Sequence, residues 1–589
     1  MQWKPELLWA IAFSASAFAL CWQAFTRAPV GDEVAHLYSS VAMVRTGDPG
    51  YDRGNPPLPQ IISGAFVEAL FHPSIPRLYD ASAMPSGSRL EYRLGVDAIL
   101  ENAQEYRWHF FLGRLARVAI VVFSGSFLLW GLPRVLRTAG RVAALLYLSS
   151  PLVLGHGWTL MPDALAGCMM IVLIVLSIHW LKIRRLPRSI LVGLAWGAAF
   201  STKFTFLPIY LFWPIGLLAH EAAISHFSAK KVVWLLGSHM LHGGIALLVV
   251  HWVYGFHQPF AILEQHHFQS ARFKHLTQPF EDWRSPFPQQ FLVGIDEQQL
   301  EIEKCYPTYI LGRHYEVAPW WYYLIGLLCK EQMATVVGSI LVVVAVAPVM
   351  RCAIFQGCKS IHPAKRQLVA LVAMSAIITL LVLALFSSHR TMALNIRYLF
   401  PILPLGYLAI GAAVHLATWG RRYVRFSGYT VVVFLITIEV TSTFPHYYAY
   451  INPLFGGSYA ATPALHDTNF DSGQDLWYLE KWIARNPPQP GTERFICIDA
   501  DIPEELIQLD QRLPPTDLMM RLLRQDFGKP DHPDATPSAE LIVMRCLQVP
   551  APWSKVNHAG PEFHTWLRES ATIAPHFFIT PTLAVYRFY

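Results

Sequence analysis

Long apolar runs separated by short polar segments recur along most of the 589-residue chain. Each run is close to the roughly 20 residues that an α-helix needs to cross about 30 Å of hydrocarbon. The pattern predicts an all-α polytopic membrane bundle of about 11 transmembrane helices, at residues 7–25, 110–131, 142–157, 163–181, 189–201, 204–219, 232–254, 319–349, 367–386, 398–418 and 428–444.

Two of these segments permit a second interpretation. The pair 189–201 and 204–219 is short, and it also fits one broken hairpin. The run 319–349 is long for a single span. Its first third, "PWWYYLIGLLCK", also fits an interfacial helix, because Trp and Tyr favour the membrane–water interface.

Basic residues concentrate in short loops that fall on one side of this topology, and these loops are "GLPRVLRTAGR", "KIRRLPR", the one ending at Lys230 and Lys231, "MRCAIFQGCKSIHPAKR" and "GRRYVRF". Positive residues favour the cytoplasmic side of a membrane. We therefore expect a plasma (inner) membrane protein with a cytoplasmic N terminus. The opposite, outer side then receives a first long loop (26–109), a second long loop (255–318) and everything after residue 444.

The composition supports the membrane class and excludes several others. Only 15% of the residues are charged and 53% are hydrophobic, whereas a soluble domain carries about 25% charged residues. The formal charge of +6 is scattered over short loops, so no basic patch indicates nucleic-acid binding. The eight cysteines form no CxxC pair, so neither a zinc site nor a thioredoxin-type site is indicated.

The tail, residues 445–589, is predicted to be a small soluble α/β domain on the outer side, following a transmembrane domain of residues 1–444. The segments "RFICID" and "LAVYRFY" have the apolar, β-branched and aromatic content of strands. The segments "DLWYLEKWIARN" and "EELIQLDQRL" are typical of helices, and proline-rich turns separate the elements.

Ionisable and polar residues gather on the predicted outer side. They follow the first span, occupy the turns after the third and fifth spans, begin the tenth span and follow the last one: Asp32, Glu33, Asp163, Lys203, Arg397 and the segment 466–476. Ionisable residues at the mouth of a helical bundle mark a functional-site hypothesis by default.

Each residue also has an ordinary interpretation. Asp32 and Glu33 fit solvated loop ends, and Asp163, after a proline, fits a helix N-cap. Lys203 and Arg397 fit cations that extend to the membrane interface. The convergence of all five on one face favours the functional interpretation.

The residue types indicate group transfer. An acceptor hydroxyl needs a carboxylate base to remove its proton, and Asp32 or Glu33 supplies one. A departing phosphate needs fixed cations, and Lys203 and Arg397 supply them. Because the outer side has no nucleotide-sugar pool, a lipid-linked phosphate donor fits this arrangement.

The sequence resembles the GT-C superfamily of polyprenyl-phosphate-sugar-dependent glycosyltransferases. It looks most like the branch of dolichyl-phosphate-mannose–protein mannosyltransferases and bacterial aminoarabinose transferases that act on lipid A. The resemblance is carried by "GDEVAH", "NPPLPQIISGAF", "LSSPLVLGHGWTLMPDAL", "GLAWGAAFSTKFTFLP", "YILGRHYEVAPWWYYLIGLLCK", "RYLFPILP" and "YINPLFGG" with "DTNFDSGQDL".

The resemblance implies an inverting glycosyltransferase with a GT-C catalytic domain at residues 1–444. It implies that Asp32 is the catalytic base with Glu33 beside it, and that Lys203 and Arg397 face the phosphate of the donor. It also implies a polyprenyl-phosphate-linked sugar and an extracytoplasmic acceptor as partners.

Further positions match the family in supporting places. Asp163 corresponds to a second acid, and His36 to a histidine often found after the acidic pair. Another set, whose role is unassigned, matches an element after the last span: Asn469, Asp471, Gly473 and Gln474.

Three positions depart from the family pattern. Asn55 stands where relatives have a basic residue or histidine, so a phosphate or acceptor contact is either missing or supplied by Arg53. Ser472 replaces a usual tryptophan, and "KEQ" (330–332) replaces "KTP". Lys330 and Glu331 fit an ion pair with each other.

Two other function classes stay open from the sequence. One is a transporter or flippase of a lipid-linked saccharide, although no pair of segments forms the inverted repeat common in transporters. The other is a non-catalytic envelope scaffold. No cofactor and no metal ligand is assigned, and dependence on a divalent metal stays open.

Overall fold

The structure is a computed structural model of the chain. It describes residues 5–589 except 77, 82–83, 85–86, 225–227, 267, 357–361, 421, 461–463, 466, 499–501, 504–505, 508, 510–513, 529–535, 549–565, 567–568 and 571–572.

Helices dominate the described residues. Their bounds are α1 Pro5–Thr26, α2 Glu33–Thr46, α3 Leu58–Phe71, α4 Leu90–Glu101, α5 Tyr106–Trp130, α6 Arg137–Ser149, α7 Pro151–His156, α8 Asp163–Lys182, α9 Leu186–Phe200, α10 Phe206–Ile224, α11 Ala229–Val253, α12 Ala271–Thr277, α13 Gln289–Glu303, α14 Tyr322–Lys330, α15 Met333–Gln356, α16 Pro363–Ser388, α17 Leu403–Ala417, α18 Arg422–Thr443, α19 Leu476–Arg485 and α20 Thr516–Leu523. The strands are β1 Thr308–Ile310, β2 Arg313–Tyr315, β3 Glu493–Cys497, β4 Ala539–Met544, β5 Phe577–Thr580 and β6 Leu583–Phe588.

Seven segments of the described chain are long and apolar enough to cross a membrane, and they lie in α1, α5, α8, α10, α11, α16 and the stretch Ile396–Ala417. The predicted helical membrane bundle is therefore confirmed. The predicted number of eleven spans is not confirmed, because several predicted spans are shorter or interrupted.

The interruptions have local causes. The predicted span 142–157 is divided between α6 and α7 at Ser150, whose hydroxyl caps α7 by accepting from the Val153 N–H (3.3 Å). Pro151 follows at the first helical position, where its missing N–H costs nothing. The run 319–349 is divided into α14 and α15 by the extended backbone of Glu331. Its aromatic first third is thus a separate short helix.

The C-terminal sheet has the strand order β3-β4-β6-β5. Strand β3 pairs parallel to β4, and the other two pairings are antiparallel. The predicted strands "RFICID" and "LAVYRFY" correspond to β3 and β6, and the predicted helix at 475–486 corresponds to α19. The other predicted tail helix, 504–513, lies largely outside the described residues.

The sheet is tied directly to the end of the first helix. Asp475, which precedes α19, forms a buried ion pair with Arg27. The other oxygen of this carboxylate accepts from the hydroxyl of Thr582, next to β6 (2.7 Å). The tail is therefore fixed against the segment that leads from α1 into the first long loop.

Candidate active site at the start of the first long loop

The first long loop begins with a turn that separates the two adjacent carboxylates. Gly31 has φ of +45°, a left-handed conformation that glycine adopts without a Cβ clash. Helix α2 then begins at Glu33 with Asp32 at its N-cap position. Side chains of consecutive residues point about 100° apart around a helix, so the two acids face different surroundings.

Glu33 is fully enclosed and its hydrogen-bonding capacity is taken up by the protein. Arg114 donates to both of its oxygens, from Nε (3.0 Å) and Nη2 (2.5 Å). The backbone N–H groups of Val30 and Leu160 donate to the same carboxylate, at 2.8 and 2.7 Å. This geometry favours a structural role for Glu33 over the predicted catalytic one.

Arg114 also binds the backbone that precedes Glu33. It donates to the carbonyl oxygens of Ala24 (3.1 Å), Arg27 (2.8 Å) and Ala28 (3.1 Å). Arg114 and Glu33 together join the end of α1, the start of the first long loop and helix α5.

Asp32 keeps an accessible carboxylate, with 37% of its side chain exposed. Its Oδ1 accepts from the hydroxyl of Tyr92 (2.5 Å), and its Oδ2 lies 3.4 Å from Nη2 of Arg397. Burial raises the pKa of Asp32, but the charges of Arg397 and His36 and the Tyr92 hydrogen bond lower it further, so the net pKa lies below its usual value. The carboxylate is therefore ionised at neutral pH.

A compact cluster of two cations and one acid lies beside Asp32. Asp163, the first residue of α8, forms an ion pair with Lys203 through Oδ1. Its Oδ2 lies 3.6 Å from Nε of Arg397. Both cations lie over the ring of Tyr398, at 5.2 and 5.9 Å from its centre. With Asp32, the cluster contains two positive and two negative groups.

The structure thus brings four predicted residues from distant parts of the sequence into one cluster: Arg397 contacts Asp32 and Asp163, and Asp163 contacts Lys203. The guanidinium of Arg397 is nevertheless not fully paired. Its Nε is buried and has no hydrogen-bond partner among the described residues. A buried donor of this kind is costly unless a ligand satisfies it.

His36 is buried behind Asp32 on the first turn of α2. Its Nδ1 lies 2.6 Å from Oδ2 of Asp52, and Gln60 donates to the same oxygen (2.9 Å). Burial lowers the pKa of His36, but the Asp52 carboxylate raises it by more, so the net pKa lies above its usual value. The raised pKa favours the protonated, positively charged form of His36 near Asp32.

Arg53 has contacts within the first long loop. It donates to the carbonyl oxygen of Met84 (2.7 Å) and to that of Ala81. The negative charge of the Glu297 carboxylate, on α13, also stabilises the charged form of Arg53. These contacts favour a bracing role for Arg53 over the predicted substitute contact with a donor.

The segment 466–476 follows the last predicted span, and the sequence left its role unassigned. It holds both the backbone that carries Asp32 and the segment that carries Arg397. The carbonyls of Ser472 and Gln474 accept from the backbone N–H groups of Gly31 (3.3 Å) and Ala28 (3.1 Å). Within the turn, Asp471 accepts from the N–H of Gly473 (3.2 Å). The Gln474 side chain accepts from the N–H of Ser472 (2.8 Å) and donates to Phe470 O (3.0 Å). The turn thereby holds the backbone that carries Asp32.

Asn469 holds the segment that carries Arg397. Its amide donates to the carbonyl of Leu394 (2.7 Å) and to the hydroxyl of Tyr322 (2.9 Å), and its Oδ1 accepts from the N–H of Ile396 (2.8 Å). Arg397 therefore lies in the first turn of a 3-10 helix, Ile396–Ile402, whose start Asn469 fixes.

Replacing Asn469 by alanine is expected to lower the free energy of unfolding by about 2 kcal/mol, because buried groups lose their partners. Thermal unfolding in detergent measures this change. The matched control is Asn486→Ala, which removes one exposed amide hydrogen bond to Trp482. Equal melting temperatures for the two variants would contradict the assigned role of Asn469.

Lys330 and Glu331 do not pair with each other as the sequence suggested. The ammonium of Lys330 donates to the carbonyls of Tyr448 (2.7 Å), Tyr450 (2.9 Å) and Asn469 (2.7 Å). The Glu331 carboxylate instead accepts from the Tyr407 hydroxyl (2.7 Å). Because α14 ends between the two residues, their side chains leave in different directions.

Several residues of the site escaped the sequence analysis. An arginine inside a predicted span, such as Arg114, is a usable signal, since intramembrane charges face the bundle interior. Asp52 and Tyr92 carry no such signal, because a loop acid or tyrosine is ordinary in sequence. Within the described part of the chain, no group of three or more His, Cys, Asp or Glu residues is arranged to hold a metal ion.

Comparisons with known proteins find likeness in structure alone. No family model matches the chain, and no curated protein matches it. Among solved structures, ArnT from Cupriavidus metallidurans bound to undecaprenyl phosphate is similar, with a TM-score of 0.42 and 13% identity over 98% of this chain and 98% of that one.

Two oligosaccharyltransferase structures from Archaeoglobus fulgidus are also similar. AglB in complex with an inhibitory peptide and a dolichol-phosphate has a TM-score of 0.41 and 12% identity over 83% of this chain and 59% of that one. The structure in complex with zinc and sulfate has a TM-score of 0.36 and 13% identity over 82% and 55%.

Proposed function

We propose that the chain is an integral-membrane inverting glycosyltransferase, which moves a sugar from a polyprenyl phosphate to an extracytoplasmic acceptor. One observation carries the proposal: the Arg397 guanidinium lies between two carboxylates, at 3.4 and 3.6 Å, with a buried Nε that has no hydrogen-bond partner among the described residues. An anionic ligand beside an ionised base would satisfy it.

The donor phosphate would bind Arg397 and Lys203. Both cations contact Asp163, which keeps them in place and reduces their mutual repulsion. Phosphate oxygens form charge-assisted hydrogen bonds that are stronger than neutral ones. The contact between Arg397 and Asp32 is long, so phosphate would displace this carboxylate easily.

Transfer would then proceed by a single displacement. Asp32 takes the proton of the acceptor hydroxyl as the acceptor oxygen forms a bond to the anomeric carbon. The bond between that carbon and the phosphate oxygen breaks, and its electron pair leaves with the polyprenyl phosphate. Arg397 and Lys203 stabilise the charge that develops on this leaving group. Attack opposite to the leaving group inverts the configuration at the anomeric carbon.

The placement in the membrane is part of the proposal. The basic loops favour the cytoplasmic side, which puts Asp32, the second long loop and the tail outside. A domain of residues 1–444 would carry the chemistry, with residues 445–589 as a separate extracytoplasmic domain. The apolar faces of the bundle would admit the polyprenyl tail from the lipid.

The function is tested with the full chain purified into lipid nanodiscs. It is incubated with undecaprenyl-phosphate monosaccharides carrying glucose, mannose, galactose or aminoarabinose, together with an envelope lipid and protein extract as acceptor. We expect at least one donor to release undecaprenyl phosphate and to transfer its sugar to a component of the extract. Movement of an intact lipid-linked sugar across proteoliposomes without its cleavage would contradict the proposal and support a flippase.

A further inference from the structure

Asp32 is one end of a continuous chain of side chains. The Tyr92 hydroxyl donates to Asp32 Oδ1 (2.5 Å) and accepts from Nη2 of Arg89 (2.9 Å). Tyr92 lies in the first turn of α4, and Arg89 is the residue directly before that helix. A hydroxyl has one proton to donate, so accepting from Arg89 directs that proton towards Asp32.

Arg89 is itself fixed from two directions. Its Nε donates to Glu91 (2.5 Å), and its Nη1 donates to Glu301 (3.2 Å). Glu301 lies on α13 in the second long loop, and it accepts from Lys304 (2.7 Å) and from the Tyr306 hydroxyl (2.5 Å). The chain therefore connects the second long loop to the carboxylate at the start of the first.

We propose that Tyr92 is a positioning residue for Asp32, and that Glu301 acts through Arg89 to orient the Tyr92 hydroxyl. This inference rests on the proposed function. The hydroxyl fixes the carboxylate through Oδ1, so that Oδ2 is the oxygen that meets the acceptor once phosphate has taken Arg397. Without this contact, the carboxylate can rotate and present either oxygen to Arg397.

The hydrogen bond from Tyr92 also lowers the pKa of Asp32. The groups that lower the pKa of Asp32 are Arg397 from the 3-10 turn, His36 from α2, and Tyr92 and Arg89 at α4. Asp163 on α8 and Lys203 complete the charged surroundings, on the far side of Arg397. Tyr448, before the 466–476 segment, also interacts with it. Burial raises the pKa of Asp32, and Arg397, His36, Arg89 and the Tyr92 hydrogen bond lower it.

A base with a lowered pKa stays active until the pH falls through that pKa. Removing the Tyr92 hydroxyl raises the pKa of Asp32, because one hydrogen bond to its charged form is lost. The acidic limb of the rate profile then moves to higher pH.

The test compares pH profiles of kcat/KM for the wild type and for Tyr92→Phe, over a range that starts about two pH units below the ordinary carboxyl pKa of about 4 and ends above neutral pH. We expect a roughly tenfold lower kcat at neutral pH, of the size of one lost hydrogen bond to a charged group. We expect an acidic limb at higher pH and a KM for the undecaprenyl-phosphate donor within about twofold of the wild type. Glu301→Gln should move the limb in the same direction by less.

The control is Glu303→Gln on the same helix. Its carboxylate accepts from the N–H groups of Ala271 and Arg272 (both 2.9 Å) and lies outside the chain to Asp32. This variant should keep the wild-type profile. A merely structural role for Tyr92 would lower activity equally at all pH values.

Failure of the positioning role and failure of the proposed function give different results. An active wild type with unshifted acidic limbs in both Tyr92→Phe and Glu301→Gln would overturn the positioning role and leave the proposed function intact. A wild type that cleaves no donor would overturn both. If Tyr92→Phe does not fold, Glu301→Gln decides, because Glu301 is partly exposed and 3.2 Å from Arg89.

Discussion

Replacing Asp32 by asparagine is expected to reduce sugar transfer at least about 1000-fold while leaving the protein folded. An amide cannot take the proton of the acceptor, and general-base catalysis contributes about 10²–10⁴-fold. A loss of this size corresponds to about 4 kcal/mol in the activation free energy. The stability cost is small, because the partly exposed Asp32 carboxylate is 3.4 Å from its cation, and such pairs contribute about 0–1 kcal/mol.

The control for this substitution is Asp97→Asn. Asp97 lies in the same long loop, its side chain is 38% exposed, and it has a single arginine neighbour, Arg93, at 3.9 Å. It therefore matches Asp32 in exposure and charge but lies outside the cluster. The release of undecaprenyl phosphate from the active donor is measured for both variants. Full activity of Asp32→Asn would remove Asp32 from the role of base.

Replacing Arg114 by methionine is expected to destabilise the protein by about 3–5 kcal/mol. The substitution leaves the fully buried Glu33 carboxylate without its cation, and breaking a buried pair in this way costs about that much. Three backbone carbonyls at the end of α1 and the start of the first long loop also lose their donor. Thermal unfolding in detergent and the yield of folded protein measure the effect.

The control is Arg107→Met, on the same helix. Arg107 forms its ion pair with Glu480 at 2.9 Å, but 43% of its side chain is exposed, so its loss should change stability by about 1 kcal/mol or less. Glu33→Gln should behave like Arg114→Met, with activity that falls with the folded fraction. A Glu33→Gln variant that is stable and inactive would make Glu33 the base.

The sequence predicted the residues of the cluster better than it predicted their partners. Hydropathy and the positions of basic loops placed Asp32, Asp163, Lys203 and Arg397 on one side, and the fold brings them together. In the sequence, Asp32 and Glu33 have no Lys or Arg within four residues. The fold supplies one to each, Arg114 from 81 residues away and Arg397 from 365. Partners at such separations are set by tertiary packing, which leaves no local pattern.

The supporting contacts were beyond prediction for another reason. Lys330 and Asn469 bind backbone carbonyls and N–H groups, and every residue has such groups, so their partners carry no sequence signature. The predicted span boundaries are wrong where a capped helix N-terminus interrupts an apolar run. Ser150 and Pro151 start a new helix inside an apolar run, because a capped N-terminus satisfies the backbone locally.

The central claim is that Arg397 and Lys203 hold a lipid-linked phosphate next to Asp32. Electron cryo-microscopy of the full chain in nanodiscs with undecaprenyl phosphate tests it most directly. We predict phosphate oxygens at about 3 Å from the Arg397 guanidinium and the Lys203 ammonium, with Arg397 released from Asp32. Phosphate bound elsewhere, with Arg397 still between Asp32 and Asp163, would contradict the claim.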